Sequence, residues 1–346
     1  MRRFNRYTFL STVLLGAFLL TFNSPAGAQF SIPDPSRSVQ AVAFGADGTL
    51  YMGTFGKGVF KSGDRGKTWE WISEGLRDKF IYSLLIVSPP KNRFKGAKEL
   101  IFAGGARMGI FRTSDGGKTW EQINTGLKNR EILRIVPGSR GEIYAATGQG
   151  IYLSRDHGDS WTLHHSGLED VLVRALAVAP DGTLYAGTSG RGLFRLNPGQ
   201  KRWTQLTRGI GGEEGLRENF IRVLTLGPDG VLYAGTFDGG IYGSWDEGIT
   251  WKNLNLDLKN HSIRAILIGE GGDLIIATGR GVFTRAVEAF RWRAFHGDLD
   301  DLSFQTMIMD KNGFLYGGTG GGLYRGTLSG DWVSLTSRLY STREGM

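Results

Sequence analysis

Residues 43–71 read AFGADGTLYMGTFGKGVFKSGDRGKTWEW, and this stretch decides the fold because it recurs in weakening form six more times. Each copy holds short apolar runs separated by glycine-containing turns and ends on a tryptophan. A repeat of this length with short strands inside each unit is typical of a β-propeller. The sequence therefore predicts an all-β fold, a seven-bladed β-propeller of four-stranded antiparallel blades. The seven tryptophans are spaced by 40 to 51 residues: Trp69, Trp120, Trp161, Trp203, Trp251, Trp292 and Trp332.

The first copy shows the plan of a blade, with strands predicted over 39–44, 49–54, 59–62 and 68–72. Asp47-Gly48 is a strong hairpin signal between the first two strands. Two repeats carry extra residues, at 88–98 and 208–219, which we expect to be tolerated surface loops. The predicted blades cover residues 38–73, 79–124, 131–164, 171–206, 219–255, 262–295 and 303–336.

Residues 1–28 have the pattern of a signal peptide. Three arginines, Arg2, Arg3 and Arg6, precede an apolar run, and Ala26-Gly27-Ala28 is a small-residue cleavage motif. Cleavage between Ala28 and Gln29 would leave one domain over 29–346, periplasmic or secreted and without a stable membrane anchor. A membrane anchor is the alternative, but the apolar run is short for one. The chain has no cysteine, which excludes disulfides and a lipoprotein anchor.

The chain is moderately basic. Its formal net charge is +8, or +5 after loss of the three arginines in the signal peptide. This balance suits an anionic partner or surface. No run of five like charges and no nucleic-acid motif occurs, so nucleic acid is not a predicted partner.

The turn before the fourth strand carries the motif S-x-D-x-G-x-T-W in four repeats, with Thr for Ser or Ser for Thr in two of them. We call it the Asp-box turn. The aspartate can accept turn N–H groups, the glycine takes a left-handed backbone and the tryptophan buries its ring between sheets. We therefore expect a structural role rather than catalysis or calcium binding. The motif residues are Ser62, Asp64, Gly66, Trp69, Asp115, Gly117, Trp120, Asp156, Gly158, Trp161, Asp246, Gly248 and Trp251.

One column of residues at the starts of the first strands is expected to ring the mouth of the central channel, because the first strand of a propeller blade is normally innermost. Its arginines suit an anion or carboxylate site, since the guanidinium fork pairs with carboxylates at two points. Alternatively, each arginine bonds the next blade or fills the channel with its stem. The column comprises Gln40, Tyr82, Arg134, Arg174, Arg222, Arg264 and Gln305.

Enzymatic signals are weaker than the fold signal. A sialidase shares the Asp-box but needs an arginine triad, an acid/base aspartate and a Tyr–Glu pair. Tyr82 could serve as the nucleophile, with Glu131, Asp170 or Glu218 near it, but nothing in the sequence fixes their pairing. The five histidines lack ligand spacing, and no G-x-S-x-G elbow or P-loop is present. No metal or cofactor is predicted.

Residues 38–336 resemble the photosystem II stability/assembly factor family, through repeats of the form LYAGT…GGIY.S.D.G.TW with arginines in the first strands. The resemblance implies an exported, non-enzymatic, seven-bladed propeller with an arginine patch for partner binding, matched here by Arg134, Arg174, Arg222 and Arg264. We expect a monomer that binds an acidic segment or a C-terminal carboxylate of a protein. The alternative is a sialidase-like hydrolase or a glycan-binding propeller that uses the same mouth.

Overall fold

Seven sheets of four antiparallel strands follow one another along the chain, each formed from one continuous segment. This computed structural model describes residues 37–90, 93–164, 166–168, 170–206, 219–299, 301–337 and 339, which all belong to one compact unit, Pro33–Met346. The predicted signal peptide lies outside the described residues. The predicted seven-bladed, four-stranded propeller is confirmed, and each blade is one sheet.

The strands are numbered in chain order. The first strands of the blades are β1 (Val39–Phe44), β5 (Ile81–Val87), β9 (Ile132–Pro137), β13 (Val173–Val178), β17 (Ile221–Leu226), β21 (Ile263–Ile268) and β25 (Thr306–Met309). The second strands are β2 (Leu50–Thr54), β6 (Leu100–Gly105), β10 (Ile143–Thr147), β14 (Leu184–Thr188), β18 (Leu232–Thr236), β22 (Leu274–Thr278) and β26 (Leu315–Gly318).

The third strands are β3 (Val59–Ser62), β7 (Ile110–Thr113), β11 (Gly150–Ser154), β15 (Leu193–Leu196), β19 (Ile241–Ser244), β23 (Gly281–Arg285) and β27 (Leu323–Gly326). The fourth strands are β4 (Glu70–Trp71), β8 (Glu121–Gln122), β12 (Thr162–Leu163), β16 (Thr204–Gln205), β20 (Lys252–Asn253), β24 (Arg293–Ala294) and β28 (Trp332–Ser334). The fourth strand of blade 1 is thus shorter than the predicted 68–72, because the Asp-box turn takes up its beginning.

The first strands are innermost, as predicted. Each packs against the first strand of the next blade, and β25 packs against β1 to close the ring. Closure uses no exchanged strand among the described residues. Instead, the N–H of Val39 donates to the carbonyl of Thr319 at 2.9 Å, and the indole of Trp69 donates to the carbonyl of Leu335 at 3.0 Å.

The core lies between neighbouring sheets. Tyr51, Val59 and Ile72 of blade 1 form one buried cluster with Ile81 and Ile101 of blade 2, and the other blade pairs repeat this arrangement. The second strands of all seven blades are buried along their whole length, which explains their largely apolar sequence. Gly53 permits this packing, because a Cβ there would lie 2.7 Å from Ile81 Cγ2.

The Asp-box turns are held by a repeated set of hydrogen bonds. In blade 1, Asp64 accepts bonds from the N–H of Thr68 at 2.9 Å and from its hydroxyl at 2.6 Å, while the hydroxyl of Ser62 accepts from the N–H of Gly66. Gly66 has φ +89°, the left-handed region that favours glycine. Turns at 113–120, 154–161 and 244–251 repeat these bonds. Each aspartate is therefore fully engaged in its own turn.

The tryptophans join the blades. Of the seven tryptophans that end the repeats, six donate their indole N–H to a backbone carbonyl of the preceding blade, as Trp120 does to Ile72 at 2.6 Å. Trp251 is the exception and bonds Gly248 within its own turn. A buried indole N–H needs a partner, so this bond couples the packing of the ring to one particular neighbour.

The insertion at 88–98 does more than lie on the surface, contrary to our expectation of a tolerated loop. Arg93 forms an ion pair with Asp159 and donates to the carbonyl of Asp156 at 3.0 Å, both in the Asp-box turn of blade 3. Phe94 lies under the guanidinium groups of Arg93 and Arg112. The insertion therefore ties blade 2 to blade 3. Residues 207–218, nearly all of the second insertion, lie outside the described residues.

Candidate functional site

The starts of the first strands and the loops between second and third strands share one edge of every sheet. Val39 at the start of β1 pairs with Thr54 at the end of β2, and the N–H of Phe55 donates to the carbonyl of Ser38 at 2.8 Å. We call this edge of the ring the top face. The Asp-box turns follow the third strands and so lie at the opposite edge, as predicted.

Five residues of the predicted arginine column occupy a β-bulge. The pairing of the first two strands skips one residue in blades 1, 2, 4, 5 and 6, at Gln40, Tyr82, Arg174, Arg222 and Arg264. A bulge leaves the extra residue outside the ladder and changes the direction of its side chain. The repeated bulge thus gives these five side chains a common placement at the top face. Gln305 lies next to the start of β25, and its N–H donates to the carbonyl of Gly318 at 2.7 Å.

Arg134 does not belong to this column. In blade 3 the skipped residue is Leu133, and Arg134 pairs with Ala146, as Ala175 pairs with Gly187 in blade 4. Its side chain is exposed to solvent. The alignment of Arg134 with the other arginines is wrong by one residue, because Leu133 occupies the bulge in blade 3 and Arg134 is the next residue along the strand.

Three arginines from consecutive blades do come together, and we call Arg174, Arg222 and Arg264 the arginine arc. Burial lowers the pKa of Arg222 to about 10, and the positive charges of Arg264 and Arg174 add to the effect. Burial also lowers the pKa of Arg264. Arg222, on the middle blade of the three, thus lies within electrostatic range of both its neighbours.

The arginine arc has only neutral partners among the described residues. Arg174 Nε donates to Ser189 Oγ at 2.8 Å, Arg222 Nη1 donates to Ser262 Oγ at 3.3 Å, and Arg264 Nη1 donates to Gln305 Oε1. None of the ion pairs formed within the described ranges includes an arginine of the arc. Arg264 Nε is buried without a hydrogen-bond partner. Positive charge is therefore concentrated here, and no described residue forms an ion pair with it.

A cavity of about 360 Å³ opens beside the arc, between blades 4 and 5. Phe220 and Phe237 line it and are 48% and 56% exposed, and the guanidinium of Arg222 lies 5.2 Å from the centre of the Phe237 ring. Phe220 is not among the residues that the sequence indicated for this site. The signal that could have indicated Phe220 is the repeated Phe-Ile pair at 80–81 and 220–221, which stands directly before a residue of the predicted column in both blades. The lining is formed by Leu172, Arg174, Ser189, Phe220, Arg222 and Phe237.

The tyrosine considered as a nucleophile packs against a neighbouring aromatic ring. Tyr82 stacks on Phe55 at 6.0 Å, and burial together with the negative charge of Glu131 raises its pKa. A raised pKa opposes the phenolate that a nucleophilic tyrosine requires. Asp170 is exposed, and its backbone has φ +54°. Glu218 lies outside the described residues.

Neither a metal centre nor a membrane-spanning helix is found in the part of the chain that the structure describes. No group of three or more histidine, cysteine, aspartate or glutamate side chains there could hold a metal ion. No helix within the same ranges has the length and apolarity needed to cross a bilayer.

Solved structures with the same fold have diverse functions. YCF48 bound to D1 peptide has a TM-score of 0.64 at 20% identity, over 85% of this chain and 95% of that one. The extracellular domain of a hybrid two-component system from B. thetaiotaomicron has a TM-score of 0.66 at 15% identity, over 84% of this chain and 38% of that one. The GH74 xyloglucanase from Xanthomonas campestris has a TM-score of 0.66 at 14% identity, over 88% of this chain and 55% of that one.

These likenesses show the fold alone, and the chain spans about two fifths of the two-component domain and about half of the xyloglucanase. No curated protein sequence matches the chain. A family model does match it, over residues 29–212, which is more than half of its length. The chain therefore belongs to the photosynthesis system II assembly factor YCF48 family.

Proposed function

We propose that this protein is a non-enzymatic binding module that docks a carboxylate-bearing segment of a partner protein on the arginine arc. The observation that carries the proposal is the concentration of Arg174, Arg222 and Arg264 at the top face, where all their hydrogen-bond partners among residues 37–206 and 219–339 that the structure describes are neutral. Like charges brought together cost free energy unless an anion offsets them. A bound carboxylate would supply that charge and accept two parallel hydrogen bonds from one guanidinium.

A protein segment suits this site better than a small inorganic anion. The site combines the arc with the exposed rings of Phe220 and Phe237, and apolar side chains of a peptide can cover those rings. The solved YCF48 with a D1 peptide bound supports a peptide ligand for this family. Asp246 and the other Asp-box aspartates keep a structural role in this proposal, since their oxygens are used within their turns.

We further propose that the protein is exported and acts as a monomer, in the periplasm or outside the cell. The basis is the signal-peptide pattern of residues 1–28. Cell fractionation followed by N-terminal sequencing tests this part. The exported form should begin at Gln29, and an intact N-terminus in the membrane fraction would contradict it.

Affinity capture from the cell envelope of the source organism tests the binding function. The bait is the mature protein, and the variant changes Arg174, Arg222 and Arg264 together to Gln. The matched control changes three exposed arginines outside the arc, Arg155, Arg202 and Arg293, to Gln, so that the net charge of the two variants is equal.

A protein recovered with the wild type and the control variant but lost with the arc variant would support the proposal and name the partner. Equal recovery with all three baits would contradict it. Recovery of glycan rather than protein would favour the glycan-binding alternative.

A further inference from the structure

The cavity beside the arginine arc has a charged wall and an apolar wall at the same opening. Resting on the function proposed above, we infer that it receives the last residue of a partner chain, and that this residue is apolar. Its side chain packs against Phe220 and Phe237, and its α-carboxylate binds Arg174 and Arg222. The site thus recognises the C-terminus of a protein rather than an internal acidic segment.

The apolar wall consists of Phe220 and Phe237, and backbone hydrogen bonds hold the chain around both residues. The N–H of Ser189 donates to the carbonyl of Leu172 at 2.9 Å, and the N–H of Phe237 donates to the carbonyl of Phe220 at 3.0 Å. The N–H of Gly190 similarly donates to the carbonyl of Asn219 at 3.0 Å. These bonds fix the backbone around both rings, so a ligand meets a preformed surface and pays less for ordering it. Two half-exposed phenylalanines at a fixed opening are a surface that an apolar side chain would cover.

The charged wall is oriented by its neutral partners. Ser189 holds Arg174 through Nε, and Ser262 holds Arg222 through Nη1. The terminal nitrogens of Arg174 make no hydrogen bond to any residue that the structure describes, and both arginines line the cavity. Arg222 also lies over the Phe237 ring, so cationic and apolar surfaces are continuous there. One ligand residue can therefore contact both.

The geometry of an extended peptide favours a chain end over an internal acidic residue. Neighbouring side chains of an extended chain point to opposite faces, so an internal carboxylate and the apolar residue next to it cannot enter one cavity together. Residues two apart share a face but are about 7 Å apart along the chain. A C-terminal apolar residue carries its carboxylate and its side chain on one Cα. It fits a 360 Å³ cavity in which both walls are adjacent.

Peptide titration of the mature protein tests the inference. The probes are acetyl-Gly-Ser-Gly-Ser-Leu with a free carboxylate, the same peptide as the amide, the free acid ending in Gly, and an amidated peptide with one internal Asp. We expect the Leu free acid to bind at least tenfold more tightly than its amide. It should also bind about tenfold more tightly than the Gly-ending acid, because the leucine side chain is lost from the apolar wall.

The variant Phe220→Ser with Phe237→Ser should lose the difference between Leu and Gly while it keeps the difference between acid and amide. The matched control is Phe290→Ser, which removes a ring that is 86% exposed outside the top face and should change neither. Because all three side chains are exposed, we expect the variants to have the same thermal unfolding midpoint as the wild type. Measuring these midpoints verifies that the variants fold.

Two outcomes would overturn the inference, and they are distinguishable. If the internal Asp peptide binds as well as the Leu free acid and the phenylalanine variant changes nothing, the arc binds carboxylates without reading a chain end, and the proposed function stands. If no peptide binds up to millimolar concentration, and the arc variant Arg174→Gln with Arg222→Gln behaves as the wild type, both the inference and the proposed function fail.

Discussion

Two groups of arginines in this propeller differ in what surrounds their charge. Arg112 is 4% exposed at the Asp-box side of blades 2 and 3, and it bonds Asp159 and Glu121 at 2.8 Å each. The arginine arc at the top face has serine and glutamine as partners instead. Arg112 is thus compensated by carboxylates, whereas the described hydrogen-bond partners of the arc are neutral. This contrast favours the arc as the place where an anion from outside binds.

The largest expected difference between the two groups is in stability. Arg112→Met should lower the free energy of unfolding by about 2 kcal/mol, because the bonds of the buried guanidinium to Asp159, Glu121 and the carbonyl of His157 are lost. Arg222→Gln should leave it unchanged within about 0.5 kcal/mol or raise it, since one of three neighbouring like charges is removed. Urea denaturation of both variants measures the contrast. Similar losses in the two variants would show that the arc is also structural.

The second prediction concerns binding by the arc. Arg174→Gln combined with Arg222→Gln should weaken binding of the free-acid leucine peptide about 100-fold, because two charge-assisted interactions with the carboxylate are lost. The measurement is fluorescence anisotropy at several salt concentrations, and the salt dependence of the affinity should flatten in the variant. The double variant Arg155→Gln with Arg202→Gln removes the same charge outside the arc. If it weakens binding equally, net charge rather than the arc is responsible.

The third prediction concerns a variant that places a carboxylate beside the arc, as Asp159 and Glu121 lie beside Arg112. Gln305→Glu would place a carboxylate beside Arg264, where Gln305 Oε1 now accepts its hydrogen bond. This internal anion should reduce affinity for the same peptide about tenfold, because it competes with the ligand for the arc. Isothermal titration calorimetry measures the change. Gln40→Glu is a control at the corresponding position of blade 1, where Gln40 bonds Ser38, and it should have a smaller effect.

The smallest expected effect concerns a third kind of charge, a carboxylate whose ionised form is stabilised by hydrogen bonds within its own turn. Burial opposes the ionised form of Asp115, but bonds from Thr119 and Thr113 outweigh it and lower its pKa to about 2. The folded pKa lies below the ordinary 3.8, so the stabilisation is present above pH 4 and is lost as pH falls towards 2. Asp115→Asn should cost about 1 kcal/mol at neutral pH.

The same variant should also show a shallower loss of stability between pH 4 and 2, measured by urea midpoints at each pH. Lys118→Gln alters an exposed residue of the same turn and should keep the wild-type pH profile. Parallel profiles for the wild type and Asp115→Asn would contradict the role assigned to the carboxylate.

The fold could be predicted from the sequence because every blade repeats the same local signals. Apolar runs, the Asp47-Gly48 hairpin and the recurring tryptophan all point to one blade plan, and no long-range information is needed to count seven copies. The faces of the ring were predictable for the same reason. Strand order alone places first-strand starts and the loops between second and third strands at one edge.

The site was only partly predictable. Arg174, Arg222 and Arg264 were found because they share a column, but Arg134 was wrongly aligned with them, since it lies one residue beyond the bulge position, which Leu133 occupies in blade 3. Phe220 was missed because an aromatic residue before a strand is usually core. Its exposure depends on the neighbouring blade, and no local pattern encodes that.

The shortness of the fourth strands has a consequence for how molecules meet one another. Six of these outermost strands have two residues and the seventh has three, so the rim of the ring offers very few unpaired backbone groups for β-pairing with another chain. A ring of seven sheets would otherwise present seven open edges. Edges of two or three residues are poor templates for β-pairing, so the rim disfavours contacts between backbones and leaves contact with other molecules to side chains.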